Sequence, residues 1–345
     1  MNLELLDASE LRYREWYRRL PEIWSEPVED WNELAARCQR AGLRDLPSQA
    51  LSSMGTVLTE EEFFGDSCRE AVCFNNLRYC PPFLHRLEFI KIVYCFRGHV
   101  TIYLNDARYE LSSGNFCIVT PGVRHTVFSC HDEDIIINLL MRASTFSQAF
   151  SGILMERNIL SDFFWRILYT RHSNRILLFR CESDERLDRC IERAFDESAR
   201  GERASSLLMR SYGMIFLGHV MRDHLGTLET VEKLTDEVYA MSAILRWIDD
   251  HLKTVTPAEL SARFHMNESE LRRYLLHESG YTYNALLREL RMRKAVWLLE
   301  NTSWSTERIM EEIGYSNLTH FYKTFREYFN TTPSEYRKTG GRRFF

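Results

Sequence analysis

No C-x-x-C pair occurs among the nine cysteines, which are scattered and odd in number. A disulfide framework and a cysteine-ligated zinc site are therefore not indicated, and free thiols in a reducing cytoplasm are the plain expectation. No stretch approaches a membrane span, and the start, MNLELLDASE, is acidic where a secretory signal is positive and then apolar. There is no glycine-rich phosphate loop and no low-complexity tract. Net positive charge is lacking as well: 44 Lys and Arg face 49 Asp and Glu, a net charge of -5. Summed over the whole chain, that argues against a nucleic-acid binder. The balance is uneven, however, because from Tyr239 onward 16 basic residues meet 13 acidic ones, so this segment is mildly basic.

With 345 residues and 45% hydrophobic content the chain is large enough for two cores. Its most legible segment is RIMEEIGYSNLTHFYKTFREYFNTTPSEYR, Arg308 to Arg337. Ile309 and Ile313 recur at helical spacing, and Gly314 ends that helix where a left-handed residue is required. Asn317 is an N-cap, so a second helix is expected from Leu318 to about Tyr328. Its inward stripe is Leu318, Phe321, Phe325 and Tyr328 or Phe329. The opposite face then carries Thr319, His320, Lys323 and Arg326, hydrogen-bonding and cationic groups near the end that reaches base edges in a helix-turn-helix. Asn330 fits a left-handed closing position, and Thr331-Thr332-Pro333 stops the helix before a short last one through Tyr336 and Arg337.

Upstream the layout repeats. Thr256-Pro257-Ala258-Glu259 has capping-box spacing with proline at the first helical position, His265-Met266 makes a turn, and Asn267 with Glu270 caps the next helix. There Leu271, Tyr274 and Leu275 face inward, leaving Ser269, Arg272 and Arg273 outward. Thr282 caps a long helix, YNALLRELRMRKAVWLLEN, whose Leu286, Leu290, Ala295, Leu298 and Leu299 join the two motifs.

Gly314-Tyr315, Phe321, Phe325 and Thr332-Pro333 through Tyr336-Arg337 resemble the signature of the AraC family of transcription regulators. The doubled motif extends the resemblance from Tyr239 to Arg337. The family pattern has alanine where Met310 stands, so crowding between the two helices is expected there, and glycine where Asn330 stands, a mild change. The resemblance implies binding to double-stranded DNA, with Ser269, Arg272, Arg273, Thr319, His320, Lys323 and Arg326 as candidate contacts. The bland reading of each is a solvated residue on an exposed face.

Phe74 to Leu140 alternates short runs rich in Val, Ile, Phe and Tyr with Arg97-Gly98, Asn105-Asp106, Ser112-Ser113-Gly114 and Pro121-Gly122, the pattern of a compact antiparallel β domain. IKIVYCF, VTIYL, RYEL, NFCIVT and DIIINLLM are the expected strands, and an eight-stranded jelly roll fits them. The stretch resembles the cupin sensor domain found in many AraC-family members. In the register of the cupin patterns the four metal-ligand positions fall on His85, Leu87, Lys91 and His125. With leucine and lysine in two of the four places, no metal or other cofactor is expected. What remains is a barrel mouth lined by His85, Lys91 and His125, with Arg78, Glu88 and Tyr94 as further candidates. The resemblance implies a small-molecule effector there, a sugar or other polar metabolite. The alternative is that both histidines are structural and that Lys91 points to solvent.

Between these regions Leu187, Ile191, Ala194 and Phe195 form one helical stripe, and Leu207, Leu208, Tyr212, Ile215, Phe216 and Val220 another. In the family such helices commonly pair two subunits, which makes a homodimer the expectation; packing on the barrel is the alternative. LRYREWYRRL and EDWNELAARCQRAGL read as amphipathic helices with Trp16, Trp24 and Trp31 as buried anchors or a partner surface.

The expected architecture is α+β multidomain. A helical extension (1–70) precedes a β-barrel sensor of cupin or jelly-roll type (71–145), a helical linker (146–238) and an all-α domain with two helix-turn-helix motifs (239–345). The expected function is a cytoplasmic one-component regulator whose effector shifts the arrangement of its DNA-binding domains, with RNA polymerase as a further candidate partner. Two alternatives stay open: a metal-dependent cupin enzyme with a DNA-binding tail, and a regulator whose β domain only dimerises.

Overall fold

The computed structural model describes residues 5–24, 26–29, 31–42, 56–65, 69–104, 107–142, 145, 176–202, 204–230 and 236–339. Their packing separates into two units, one from the described residues within 1–150 and 173–233, the other from those within 234–345.

The first unit holds helices α1 (Ala8–Arg19), α2 (Trp31–Arg40), α3 (Glu60–Phe64), α4 (Glu185–Arg200) and α5 (Ser205–His219). Its strands are β1 (Val57–Leu58), β2 (Ala71–Asn75), β3 (Arg86–Leu87), β4 (Ile90–Arg97), β5 (His99–Leu104), β6 (Ala107–Ser112), β7 (Phe116–Val119), β8 (His125–Phe128), β9 (Ile135–Met141), β10 (Ile176–Phe179) and β11 (Leu228–Thr230). Six of them form a sheet in the order β11-β10-β7-β4-β9-β2, three form a second in the order β6-β5-β8, and β1 pairs with β3 in parallel.

The five expected strands are all present, as β4, β5, β6, β7 and β9. The middle of the large sheet belongs to β4 and β9, whose residues are buried on both faces apart from the last two of β4. A strand covered on both sides shows no polar alternation, which is why these two read as continuous apolar runs. One face of the large sheet meets the small one: Val93, Cys95, Cys117, Val119, Ile136 and Leu178 pack against Val100, Ile102, Leu104, Leu111 and Val127. The other face is covered by α4 and α5. The Cys73 N–H donates to Ser198 Oγ at 2.9 Å, the Tyr94 hydroxyl donates to Asp188 at 2.6 Å, and Phe216 stands edge-on to Tyr94 and Phe116.

The helices expected as a linker after residue 145 are thus the outer layer of the β unit, and β10 and β11 extend its sheet. An apolar sheet face needs a cover, and Leu187, Ile191, Ala194, Phe216 and Val220 supply it. Leu207, Leu208 and Ile215 of the second expected stripe stay exposed.

The first helices also belong to this unit rather than forming an extension. Arg78, 1% exposed, is gripped by Glu10 of α1, with Nε to Oε1 at 3.0 Å and Nη2 to Oε2 at 2.9 Å, and donates to the carbonyls of Leu5 and Asp132. Tyr13, Trp16, Trp24, Tyr79 and Phe128 close a satellite core around the pair, so two of the tryptophans are buried anchors. The side chain of Trp31 lies outside the described residues. Burial pushes the Glu10 carboxyl up, but hydrogen bonds from Arg78 and from the Asp7 N–H, with the Arg78 charge, outweigh it and hold the group below the usual carboxylate range.

The second unit is all helix: α6 (Asp236–Asp250), α7 (Pro257–Arg263), α8 (Glu268–Ser279), α9 (Tyr283–Asn301), α10 (Thr306–Glu312), α11 (Leu318–Phe329) and α12 (Pro333–Thr339). Capping boxes at Thr256/Glu259 and Asn267/Glu270 start α7 and α8, and Asn317 caps α11, as expected. Met310 is 7% exposed in the cluster that holds Ile309, Ile313, Phe321 and Phe325. Asn330 takes the left-handed conformation at φ 53°. Of the expected inward stripe of α11, Phe321, Phe325 and Phe329 are packed, whereas Leu318 is 40% exposed and Tyr328, the alternative to Phe329, 37%; Thr324 joins the packed face.

Glu10→Ala leaves the Arg78 guanidinium buried without its carboxylate and is expected to cost about 3–5 kcal/mol, read as a lower urea midpoint. Because the Glu10 pKa is lowered on folding, its contribution is complete above the unfolded carboxyl pKa and is lost as pH falls through the folded one. The stability gap between wild type and variant should therefore close in acid.

Candidate DNA interface and effector site

The two motifs of the helical unit are built alike. Asn267 Oδ1 accepts from the Glu270 N–H at 2.8 Å, and Asn317 Oδ1 from the His320 N–H at 2.9 Å, so α8 and α11 each begin one residue after an asparagine cap. Setting the caps in register aligns Ser269 with Thr319, Arg273 with Lys323 and Leu276 with Arg326, all exposed. Buried Leu271 and Leu275 in one helix, and Phe321 and Phe325 in the other, fix the rotation that turns these residues outward. All seven residues expected as DNA contacts are exposed on these two helices. Arg272 meets Glu268 at 3.4 Å and Lys323 meets Glu327 at 4.0 Å, loose surface pairs that yield to a phosphate at little cost. His320 leans on Tyr315, with ring centroids 5.4 Å apart, at the rim of the face.

The turn before α11 is held by a close approach. At Gly314, φ +84°, a Cβ would lie 2.8 Å from the Leu252 carbonyl oxygen and 2.6 Å from Arg291 Nη2. Arg291 donates to that same carbonyl from Nη2 at 2.7 Å and lies over the Tyr315 ring at 5.6 Å. Only glycine fits both the backbone angle and the space.

In the β unit, strand alternation decides which polar groups face inward. Lys91 shares the inner face of β4 with Val93 and Cys95; His125 and Ser129 flank inward Val127; Asn138 pairs across from Val93. Lys91, His125, Asn138 and Ser129 are all buried. The backbones of His85 and His125 exchange two hydrogen bonds of 3.0 Å, and their ring centroids lie 4.6 Å apart. His85 Nδ1 faces the Phe83 carbonyl at 2.9 Å and His125 Nδ1 the Val123 carbonyl at 3.0 Å. A carbonyl only accepts, so each Nδ1 carries the proton and each Nε2 of a neutral ring is an acceptor.

The rings are held neutral. Burial and then the Lys91 charge push His85 down to about 3, while burial, His85 and Lys91 push His125 well below its ordinary value. Burial lowers Lys91 to about 8, and no carboxylate pairs with it among the described residues. His125 Nε2, Asn138 Oδ1 and Ser129 Oγ are buried without a hydrogen-bond partner. The interior thus offers an ammonium donor, an imidazole acceptor, an amide and a hydroxyl between apolar walls, a set suited to a polar organic ligand. A cation beside two imidazoles is unsuited to a divalent metal, and no group of three or more His, Cys, Asp or Glu gathers among the described residues.

Three of the six expected effector residues, His85, Lys91 and His125, come together. The other three do not. Arg78 is consumed by Glu10 in the satellite core. Tyr94, one residue out of phase with Lys91, faces α4 and donates to Asp188. Glu88 is exposed and accepts from the Glu60 N–H at the start of α3. Asn138 and Ser129 escaped the sequence reading, although an asparagine inside DIIINLLM was a visible signal.

A two-sheet domain with a polar interior and a helical domain with paired helix-turn-helix motifs together define a ligand-responsive, DNA-binding transcription regulator. Residues 64–217 match the AraC-like ligand binding domain, and residues 260–339 match a helix-turn-helix domain model. The chain belongs to the AraC family. It is 25% identical to the transcriptional activator RhaR of Mannheimia succiniciproducens over 75% of this chain and 88% of that protein. It is also 25% identical to the activator RhaS of Salmonella arizonae over 82% and 97%. Among solved structures, ToxT from Vibrio cholerae is similar at 19% identity, covering 79% of this chain and 94% of that one with a TM-score of 0.32.

Lys91→Met should stabilise the ligand-free protein. The unfolded chain holds the lysine proton more tightly than the folded one, so at pH 7 the wild type bears the full cost, about 3 kcal/mol for a pKa lowered from 10.5 to about 8. Stability of the wild type rises between pH 8 and 10.5, and the advantage of the variant shrinks over the same range. A difference independent of pH, measured by chemical denaturation, contradicts the assignment.

Proposed function

We propose that the chain is a cytoplasmic, non-enzymatic one-component regulator that binds promoter DNA as a homodimer and senses a hydroxyl-rich or anionic metabolite, such as a sugar or sugar acid, inside the β unit. The observation that carries the effector half is the set of orphaned atoms His125 Nε2, Asn138 Oδ1 and Ser129 Oγ, buried in the same unit as the Lys91 ammonium, which pairs with no carboxylate among the described residues. Leaving such groups unmade costs about 1–3 kcal/mol each, a cost that a ligand with matching hydroxyls removes on binding. Its binding free energy then biases how the DNA-binding domains are arranged. The relatives' names, transcriptional activators, support RNA polymerase as a further partner.

The proposed dimer face is α5, where Leu207, Leu208, Met214 and Ile215 form an exposed apolar stripe on the side turned from the sheet. A second copy of the chain is its proposed occupant, and two copies bind a repeated site far better than one. A chain that sediments as a monomer at micromolar concentration, with and without DNA, rules this out.

Two experiments test the function. Arg273→Ala and Lys323→Ala should each weaken binding to a selected promoter duplex and lower the slope of log affinity against log salt by about one; unchanged slopes in both remove the contact assignment. In a thermal-shift screen of sugars and sugar acids, a saturating ligand should raise the melting temperature of the wild type, and Asn138→Leu should lose that response. A β unit that no such compound stabilises would not be the sensor proposed.

A further inference from the structure

The β unit uses arginine for almost every cation. Residues 1–232 contain 26 arginines and one lysine, Lys91, so a side-chain amine occurs at a single place in this stretch. Arginine stays charged wherever it sits, whereas lysine becomes a nucleophile once it loses its proton. That one lysine is inside, 6% exposed on the inner face of β4. Among the described residues its ammonium makes no hydrogen bond or ion pair. Lys91 pairs across from Leu140 and Asn138 across from Val93, which makes Lys91 and Asn138 diagonal neighbours on one face. The Lys91 charge also reaches the rings of His85 and His125, whose centroids lie 4.6 Å apart. Two atoms of this group, His125 Nε2 and Asn138 Oδ1, are buried without a partner. A buried lysine that closed an ion pair would be structural; this one closes none. Burial holds Lys91 at about 8, so at pH 7 about a tenth of it is free amine, against about one part in three thousand of an ordinary lysine. The Cys117 thiol on neighbouring β7, pushed up to about 12 by burial, stays protonated and leaves the amine as the nucleophile.

We propose that Lys91 holds the effector covalently, as a reversible imine, and that the effector is a carbonyl compound, an open-chain sugar or a 2-oxo acid. This rests on the interior being the effector site, as proposed above. Ammonium and carbonyl give a protonated imine and one water. The nitrogen forms a bond to the carbonyl carbon, the carbon–oxygen bond breaks, and two hydrogens of the nitrogen leave with that oxygen. His125, neutral and with Nε2 unpartnered, relays a proton between nitrogen and oxygen at the carbinolamine stage. No oxidant or reductant enters, so the bond reverses when the metabolite is depleted. Arginine at this position forms no such bond.

To test this, the full-length protein is incubated at neutral pH with glyceraldehyde, ribose or pyruvate and with cyanoborohydride, which reduces an imine to a stable amine, and is then digested for mass mapping. Lys91 should carry the adduct at about tenfold or more the level of Lys253, Lys323 and Lys338, which are exposed and serve as internal controls. In parallel, without reductant, a carbonyl compound that labels Lys91 should raise the melting temperature, and its alcohol counterpart, glycerol, ribitol or lactate, should not. Lys91→Met, expected above to be the more stable protein, should lose that shift. Labelling by glyceraldehyde or ribose alone assigns the site to open-chain sugars, and labelling by pyruvate alone to 2-oxo acids. Adducts no more abundant on Lys91 than on the exposed lysines overturn the inference. Equal stabilisation by a carbonyl compound and its alcohol overturns it too, and leaves a non-covalent effector site standing. If nothing in this set or in the sugar and sugar-acid screen labels or stabilises the wild type, the imine and the effector site fall together.

Discussion

Strand alternation in β4 and β9 is the constraint on which the β unit depends. Because both strands are covered on each face, every side chain in them apart from the last two of β4 must enter one of two interiors, and a shift of one residue exchanges them. Lys91 and Tyr94 are three residues apart in the same strand, so they part: one enters the space between the sheets, the other the seam beneath α4. The same rule brings Asn138 to the inner face opposite Val93. The site is therefore a consequence of register, and the apolar residues that fix the register, Val93, Cys95, Ile136 and Leu140 among them, position its polar groups.

Burying those groups works against stability. Two imidazoles kept neutral, a lysine with a lowered pKa and three orphaned polar atoms are each unfavourable in the ligand-free protein. Natural cores avoid such groups unless something completes them, and a ligand-binding site is where that departure has a function. The ion pair elsewhere in the same unit is satisfied differently: Glu10 and Arg78 meet in bidentate fashion, and Arg78 also donates to two carbonyls. The contrast between a closed ion pair and unpartnered buried groups is the basis of the effector site proposed above.

The helical unit relies on local chemistry to a far greater degree. Its two reading helices are started by asparagine caps, closed by left-handed Gly280 and Asn330, and rotated by paired apolar residues one turn apart. Tertiary packing enters at the turn of the second motif, where Gly314 admits the Leu252 carbonyl and Arg291 ties it to α9. That contact joins the connecting helix to the motif it presents, so the spacing of the reading helices is built into the core rather than left to a loop.

The sequence by itself determined the helical unit almost to the residue, because capping boxes, glycine turns and 3.6-residue stripes act over a few positions and are written next to one another. Leu318 departs from the expected stripe at the helix end, where periodicity does not register whether a packing partner is present. In the β unit the strands were legible from turns and alternation, and the convergence of His85, Lys91 and His125 from the resemblance to the cupin patterns. The exclusion of Arg78, Glu88 and Tyr94, the inclusion of Asn138 and Ser129, and the fate of the helices after residue 145 were decided only by tertiary structure. Each depends on which face of a strand meets which layer, and on contacts such as Glu10 with Arg78 that join residues far apart in the chain. Local rules carry no information about partners at that distance.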